Sequence, residues 1–324
     1  MRILVYGAGV QGCQLAHSLA QNKKNVVTLL ARGEWKEVID QKGLTIRHML
    51  QRKTTVDRMQ TTDVLAPEDV YDLVFVTVQA GQLADVLPIL KANRSQYFIF
   101  VGNDPYAQEM LQAMQRPADK VAFGFQGSGG HRDVDKVVSA HVGVDMTVGG
   151  ATAPLSGVFR YRLKTAFEGA KYKLNFVSDM DAWLKCHIAF ILPIVYVCYA
   201  VNGDLTRSTV EQRKAIVDAA WECCEMLKAA GVPVNDAENT DCYREGTKKR
   251  KQTDRMVYWM CQTPIGKWCA SDHAMHAMGE MQYLDEAFEA LRANTQVSMT
   301  AWDDLRRGMP NWKTMELRYG KRKE

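Results

Sequence analysis

The sequence predicts an α/β chain in two parts, a parallel-sheet domain over residues 1–177 followed by an all-helical domain over 178–324. Three observations predict it. A short apolar run, RILVY at Arg2–Tyr6, runs straight into a glycine turn and then a helical pattern. Strand-like and helical runs then alternate as far as Asn175 to Asp179, which implies a parallel sheet covered on both faces. Beyond Asp179 the strand signals largely vanish.

The glycine turn is Gly7-Ala8-Gly9-Val10-Gln11-Gly12, with the helical pattern Cys13 to Ala20 behind it. Gly7 permits the tight bend, Gly9 lets backbone approach a pyrophosphate, and Gly12 lets helix and strand pack closely. The helix N-terminus then offers unpaired N–H groups and the positive end of its dipole to the phosphates. A lone G-x-G-x-x-G is weak evidence, but this one sits in the first strand-to-helix connection, where a dinucleotide fold places it. The first domain is therefore read as Rossmann-type.

A second strand, Asn25 to Ala31, ends at Arg32, where an NAD-specific site would carry an acidic residue for the ribose hydroxyls. An Arg fork can instead clamp a 2′-phosphate, so NADPH rather than NADH is expected. The competing reading is an exposed surface Arg, with Glu34 close by. Lys36 could add charge.

Asp72 to Val78 reads as a buried strand, Gln82 to Lys91 as a helix, Tyr97 to Val101 as a strand and Tyr106 to Met114 as a helix. Ligands of such sheets lie beyond the strands' carboxyl ends. Two ends qualify, Val78-Gln79-Ala80 and Gly102-Asn103-Asp104. Asn103 could hold the nicotinamide amide or a substrate carbonyl; equally, Gly-Asn-Asp-Pro is good turn chemistry. Gly124 to Gly130 lacks the ending of a P-loop and is read as a connection, with the sheet resuming over Gly143 to Gly149.

The helical half opens on WLKCHIAFILPIVYVCYAVNGDL, Trp183–Leu205, in which sixteen mostly apolar residues follow Lys185. A span needs about 20 such residues, and His187 and Pro193 interrupt this one, so a core helix is expected. Thr209 to Ala230, stopped by Gly231-Val-Pro, and Met278 to Ala293 are further helices. Lys185 opens the apolar helix, where an ammonium could give a proton to a carbonyl oxygen; the alternative is a Lys whose head stays in water. In Ser271 to Glu280, His276 and Glu280 fall one helical turn apart, and His273 could face the same way. Without a third ligand of suitable geometry, an ordinary polar helix start is favoured over a metal, and Glu280 is the functional candidate.

Composition agrees with a soluble two-domain chain: 324 residues, 47% hydrophobic, 24% charged, net charge +4. The eight scattered cysteines form no C-x-x-C pair and read as free thiols. Basic residues concentrate at Lys248 to Lys251 and Lys321 to Lys323, not in the broad face nucleic acid needs. No signal peptide precedes the first strand, which points to the cytoplasm.

Several stretches together resemble the ketopantoate reductase (2-dehydropantoate 2-reductase) family. They are MRILVYGAGVQG, TLLARG, DLVFVTVQAGQL, FVGNDPYAQEML, WLKCHIAFILPIVYVCYAVNGDL and EMQYLDEAFEAL, spread over most of the chain. The resemblance implies NADPH-dependent reduction of a 2-oxo acid, in pantothenate biosynthesis. It makes Lys185 the catalytic lysine, Glu280 the active-site glutamate, Asn103 the strand-end asparagine near the nicotinamide and Asn202 a substrate-binding residue. Its expected partners are a small-molecule substrate and a second copy of the chain, with no nucleic acid, membrane or metal. The chain also departs from the pattern. Gln79 stands where the family commonly has a Lys toward the cofactor phosphate. Ile188, Ala189 and Phe190 occupy the turn after the lysine, where an Asn is usual. Asp104 follows Asn103 where Gly is usual, and bulky residues near Trp268 replace a serine. Cofactor chemistry is thus expected to survive with an altered substrate pocket. A non-catalytic NADPH-binding protein and an opine-type dehydrogenase on the same plan are the alternatives.

Overall fold

Ten strands form a single mixed sheet in the order β4-β3-β9-β8-β7-β6-β1-β2-β5, with β10 pairing β9, in a computed structural model that describes residues 1–234 and 240–319. Lys321 to Lys323 lie outside the described residues. The centre is parallel: β1 (Arg2–Tyr6) lies between β2 (Val26–Leu30) and β6 (Leu73–Val76), and β6 leads through β7 (Phe98–Val101) to β8 (Val121–Arg132). β6 and β7 are buried throughout, as central strands covered on both faces must be, which is why they read as unbroken apolar runs. Chain order reverses between β1 and β6, the switch point at which such sheets open a crevice for ligands.

Helices α1 (Val10–Ala20), α2 (Gly33–Lys42), α3 (Leu83–Ala92), α4 (Ala107–Met114) and α5 (Gly157–Ala166) complete this part. Its core joins Ile3, Leu15, Leu29, Phe75, Ile99 and Phe159. Two features differ from the sequence reading. β3 (Leu44–His48) and β4 (Lys53–Asp57) form an antiparallel hairpin, with β5 (Gln60–Thr62) on β2; β4 and β5 are short and mostly polar, and β3 offers only Leu44 and Ile46 as apolar inward residues. Gly124 to Gly130 is not a connection but the middle of β8, which runs antiparallel to β9 (Val137–Gly149). Its glycines mask the strand pattern, yet one is needed: a Cβ on Gly130 would lie 2.0 Å from the Val138 carbonyl oxygen.

The chain divides into two compact units, Met1–Asp181 and Ala182–Glu324. The second is helical: most of α6 (Met180–Ala200), α7 (Val210–Ala229), α8 (Lys248–Gln262), α9 (Asp272–His276), α10 (Met278–Arg292), α11 (Thr300–Gly308) and α12 (Trp312–Tyr319). Its core gathers Leu192, Tyr196, Cys223, Leu227, Met281, Phe288 and Trp302. A capping box starts α7, with Thr209 Oγ1 accepting from the Gln212 N–H and Gln212 Oε1 accepting from the Thr209 N–H.

Helix α6 corrects the length argument made from the sequence. It runs 21 residues and is long and apolar enough to cross a membrane by length and composition. However, 78% of its most apolar window is buried inside the protein, the placement of a core helix. Pro193 falls within it, removing the N–H that would bond the Ala189 carbonyl.

Candidate active site

The glycine turn lies at the switch point. Gly9 is the N-cap of α1, with Val10, Gln11 and Gly12 in the first turn. Closeness dictates one of the glycines: a Cβ on Gly12 would stand 1.9 Å from the Gly7 carbonyl oxygen and 2.6 Å from Thr77 Oγ1. At Gly9 the opposite holds, since a Cβ there meets no protein atom within 4 Å. The protein's own packing does not demand a glycine at position 9. Gly9 borders open space at the start of α1, the end of a helix that favours anions.

Neighbouring side chains brace the turn. Thr77, just past β6, donates to the Gly7 carbonyl at 2.9 Å, with the Tyr6 carbonyl at 3.2 Å. The Ala8 carbonyl accepts from the Trp35 indole at 3.0 Å. Gln11 reaches across to β8, accepting from Ser128 Oγ at 3.1 Å and from Gln126 Nε2 at 3.0 Å. Beside the turn, burial pushes the Cys13 thiol up to about 12, so this sulfur stays protonated and inert.

Arg32 is exposed and immediately precedes α2, and its Nη2 donates to the Tyr6 hydroxyl at 3.2 Å. That bond holds the guanidinium by the end of β1, beside the turn. Lys36 is paired with Asp40 at 2.7 Å, so its charge is already engaged. Gln79, half-buried, caps the 3₁₀ turn Ala80–Gln82. Asn103 is buried after β7, and the next residue, Asp104, accepts from the Tyr106 N–H at 2.9 Å to set up the entry to α4. Turn chemistry therefore accounts for Asp104, while Asn103 is tucked inside at the carboxyl end of the sheet.

In the second unit Lys185 is 6% exposed, near the start of the apolar helix, so its head does not stand in water as a surface Lys would. Glu280, also buried, occupies the first turn of α10, where the helix dipole favours a carboxylate. An ionic neighbour of its carboxylate is His273, Nε2 to Oε2 3.6 Å, where helical spacing had suggested His276. The chain breaks between α9 and α10 at Ala277, which turns His276 onto the Asp272 carbonyl at 2.6 Å. Among the described residues no group of three or more His, Cys, Asp or Glu side chains is arranged to hold a metal ion.

Asn202 is exposed and adopts φ 55°, followed by Gly203 at 82°. The Gly203 N–H bonds the Cys198 carbonyl at 2.8 Å, a left-handed closure of α6 that Asn and Gly tolerate best. Helix termination thus accounts for Asn-Gly here. The same loop rests on the α9 segment, for a Cβ on Gly203 would meet the Met275 side chain at 3.1 Å, and Tyr199 donates to the Ala274 carbonyl at 2.8 Å.

Sequence reasoning singled out the glycines, Arg32, Asn103, Lys185 and Glu280, but not the residues that touch them. Thr77, directly after a buried strand at the switch point, could have been suspected from position. Tyr6, Trp35, Gln126 and Ser128 carry no such signal, because each acts through a contact made only in the folded chain.

Residues 3–152 match the family model described as ketopantoate reductase PanE/ApbA. No curated protein sequence matches the chain. Among solved structures, the ternary structure of D-mandelate dehydrogenase with NADH and anilino(oxo)acetate superposes with a TM-score of 0.73 at 14% identity, covering 99% of both chains. A 2-dehydropantoate 2-reductase from Geobacter metallireducens GS-15 gives 0.73 at 16% identity, over 95% of this chain and 98% of that one. The dimeric ketopantoate reductase from Staphylococcus aureus gives 0.67 at 12%, over 99% and 100%. At such identities the likeness is one of fold, and it extends over both units. The fold is that of the ketopantoate reductases, and the match of residues 3–152 to the ketopantoate reductase PanE/ApbA family model falls within the first unit.

Proposed function

We propose that the chain is a cytoplasmic, NADPH-dependent reductase of a 2-oxo acid, ketopantoate or a related carbonyl compound. The first domain holds the cofactor; the second supplies the acid, binds substrate and pairs with a second copy. The observation that carries the reading is the open space at Gly9, at the start of α1, within a stretch that matches the ketopantoate reductase family model. Gly7 to Gly12 would cradle the pyrophosphate, Arg32 would clamp the 2′-phosphate, and Gln79 and Asn103 would line the rest of the cofactor's path. The dinucleotide, when bound, supplies a hydride to the keto carbon.

The chain's own residues then handle the proton. Lys185 gives an ammonium proton to the carbonyl oxygen as negative charge develops there, and recovers one from water after the hydroxy acid leaves. Glu280, with His273 beside it, orients the substrate or the lysine, and Asn202 contributes a further polar anchor. Supporting the role of Lys185 is its burial, which is unusual for a lysine without a task.

A second reading is a dehydrogenase of aromatic 2-hydroxy acids, favoured by the D-mandelate dehydrogenase fold neighbour and by apolar Ala189 one turn beyond Lys185. Arg32 argues for NADPH over the NADH of that neighbour. The experiment is to follow the oxidation of NADPH and NADH with ketopantoate, phenylglyoxylate and short 2-oxo acids. Turnover of ketopantoate with NADPH supports the first reading; turnover confined to phenylglyoxylate supports the second. Failure with every acid would leave a binding protein.

A further inference from the structure

Strand β8 does more than complete the sheet. Opposite β9 its register slips between Gln126 and Ser128, a bulge that re-aims side chains where the ladder is interrupted. Both residues turn toward the first turn of α1. Gln126 is 0% exposed, and its Nε2 faces the Gln11 carbonyl at 3.1 Å, Gln11 Oε1 at 3.0 Å and Ser128 Oγ at 3.0 Å. Ser128 Oγ donates in turn to Gln11 Oε1, and Gln11 Nε2 donates to the Ser128 carbonyl.

The far end of Gln126 fixes its orientation. Its Oε1 accepts from the Tyr172 hydroxyl at 2.8 Å. Tyr172 is itself stacked on Phe167, with ring centroids 4.1 Å apart and planes 5° from parallel. Burial drives its phenol well above the usual range, so it remains a donor. Because Oε1 is committed to Tyr172, Nε2 must point at Gln11.

We propose that Gln126 is a positioning residue of the dinucleotide site, holding the first turn of α1 through Gln11 so that its N–H groups face the pyrophosphate. The inference rests on the reading of that turn as a cofactor cradle. Gln11 occupies a variable position of G-x-G-x-x-G, and no backbone requirement of the turn calls for glutamine there. The clamp accounts for it. A buried amide able to grip both the side chain and the main-chain oxygen of one residue removes the freedom of a helix start that would otherwise fray.

The test measures NADPH affinity by calorimetry for the wild-type chain and for Gln126→Leu, Gln126→Glu and Tyr172→Phe, alongside thermal unfolding. Gln126→Leu should weaken NADPH binding about tenfold, the effect of one lost buried hydrogen-bonding group, with the folded fraction at 25 °C unchanged. Gln126→Glu should bind weakly at pH 8, where a carboxylate faces two oxygens of Gln11, and should regain affinity as the pH is lowered and the protonated acid again offers a donor. Should neither Gln126 variant fold, Tyr172→Phe carries the test, with a loss of about threefold expected where a single donor is removed from the network. Folded variants that bind NADPH as tightly as wild type, or a Gln126→Glu affinity indifferent to pH, would overturn the proposal. Wild-type protein that binds neither NADPH nor NADH would overturn the cofactor reading itself, a result distinguishable from both.

Discussion

Thr77 Oγ1 stands 2.9 Å from the carbonyl oxygen of Gly7, and the Cβ that Gly12 lacks would fall 2.6 Å from that same hydroxyl. One side chain past the end of β6 therefore closes the glycine turn from behind, at the point where chain order reverses. Thr77→Val keeps the shape and removes the donor. It should cost about 1–2 kcal/mol in urea unfolding, since two carbonyls lose the group they share. Thr77→Ser should lie within about 0.5 kcal/mol of wild type by the same reasoning. Equal losses for both would show that packing, not the hydroxyl, sets the turn.

The glycines separate stability from binding. Gly12→Ala drives a methyl into backbone at 1.9 Å, so the turn must distort and both Tm and NADPH affinity should fall. Gly9→Ala meets no protein atom within 4 Å; its Tm should match wild type while NADPH affinity drops by about tenfold or more, because the methyl occupies ligand space. A Gly9→Ala variant with undiminished affinity would place the pyrophosphate elsewhere.

Cofactor preference should follow Arg32. Arg32→Ala is expected to lower the ratio of NADPH to NADH affinity by about 10- to 100-fold, the worth of a charge-assisted contact. Tyr6→Phe removes the hydroxyl that receives Nη2 at 3.2 Å and should lower the ratio by about threefold, the scale of a neutral hydrogen bond lost at one remove. Calorimetry with each cofactor reads both. An unchanged ratio in Arg32→Ala would make this residue the exposed surface Arg of the competing sequence reading.

Acid should destabilise the fold through two histidines. Burial holds the His187 imidazole down at about 4 and, with repulsion from His17, holds His48 at about 4. Each is lowered from an unfolded value of about 6.5, so between these limits the unfolded chain binds more protons. Their contribution is complete above pH 6.5, declines as the pH falls toward 4 and is exhausted below it. For fully buried His187 the upper limit is about 3 kcal/mol. Urea midpoints between pH 7 and 4 should fall steeply in wild type and less steeply in His187→Phe, which preserves the stack on Trp183. Identical slopes would remove His187 from the account.

What the sequence made legible follows physical range. β1, β6 and β7 are buried on both faces and so announce themselves as apolar runs; the glycine turn and Arg32 are local in the chain. The hairpin of β3 and β4 was missed because both strands are short and interleave few apolar residues with polar ones. β8 was misread because its glycines serve a partner strand invisible from within the segment. Pairing of Glu280 with His273 rather than His276 depended on a break at Ala277 that helical spacing cannot show. Length was the wrong argument for α6, whose burial is the informative quantity.

Lys185 carries the central claim, and its replacement by Met tests it most directly. Steady-state oxidation of NADPH by ketopantoate should be readily measured for wild type. In Lys185→Met it should fall by about 10²- to 10⁴-fold, the usual contribution of a positioned acid, while the calorimetric affinity for NADPH stays within about twofold, since the lysine acts on substrate and not on the dinucleotide fold. A Lys185→Met enzyme that turns over at the wild-type rate would contradict the assignment of the proton to this residue.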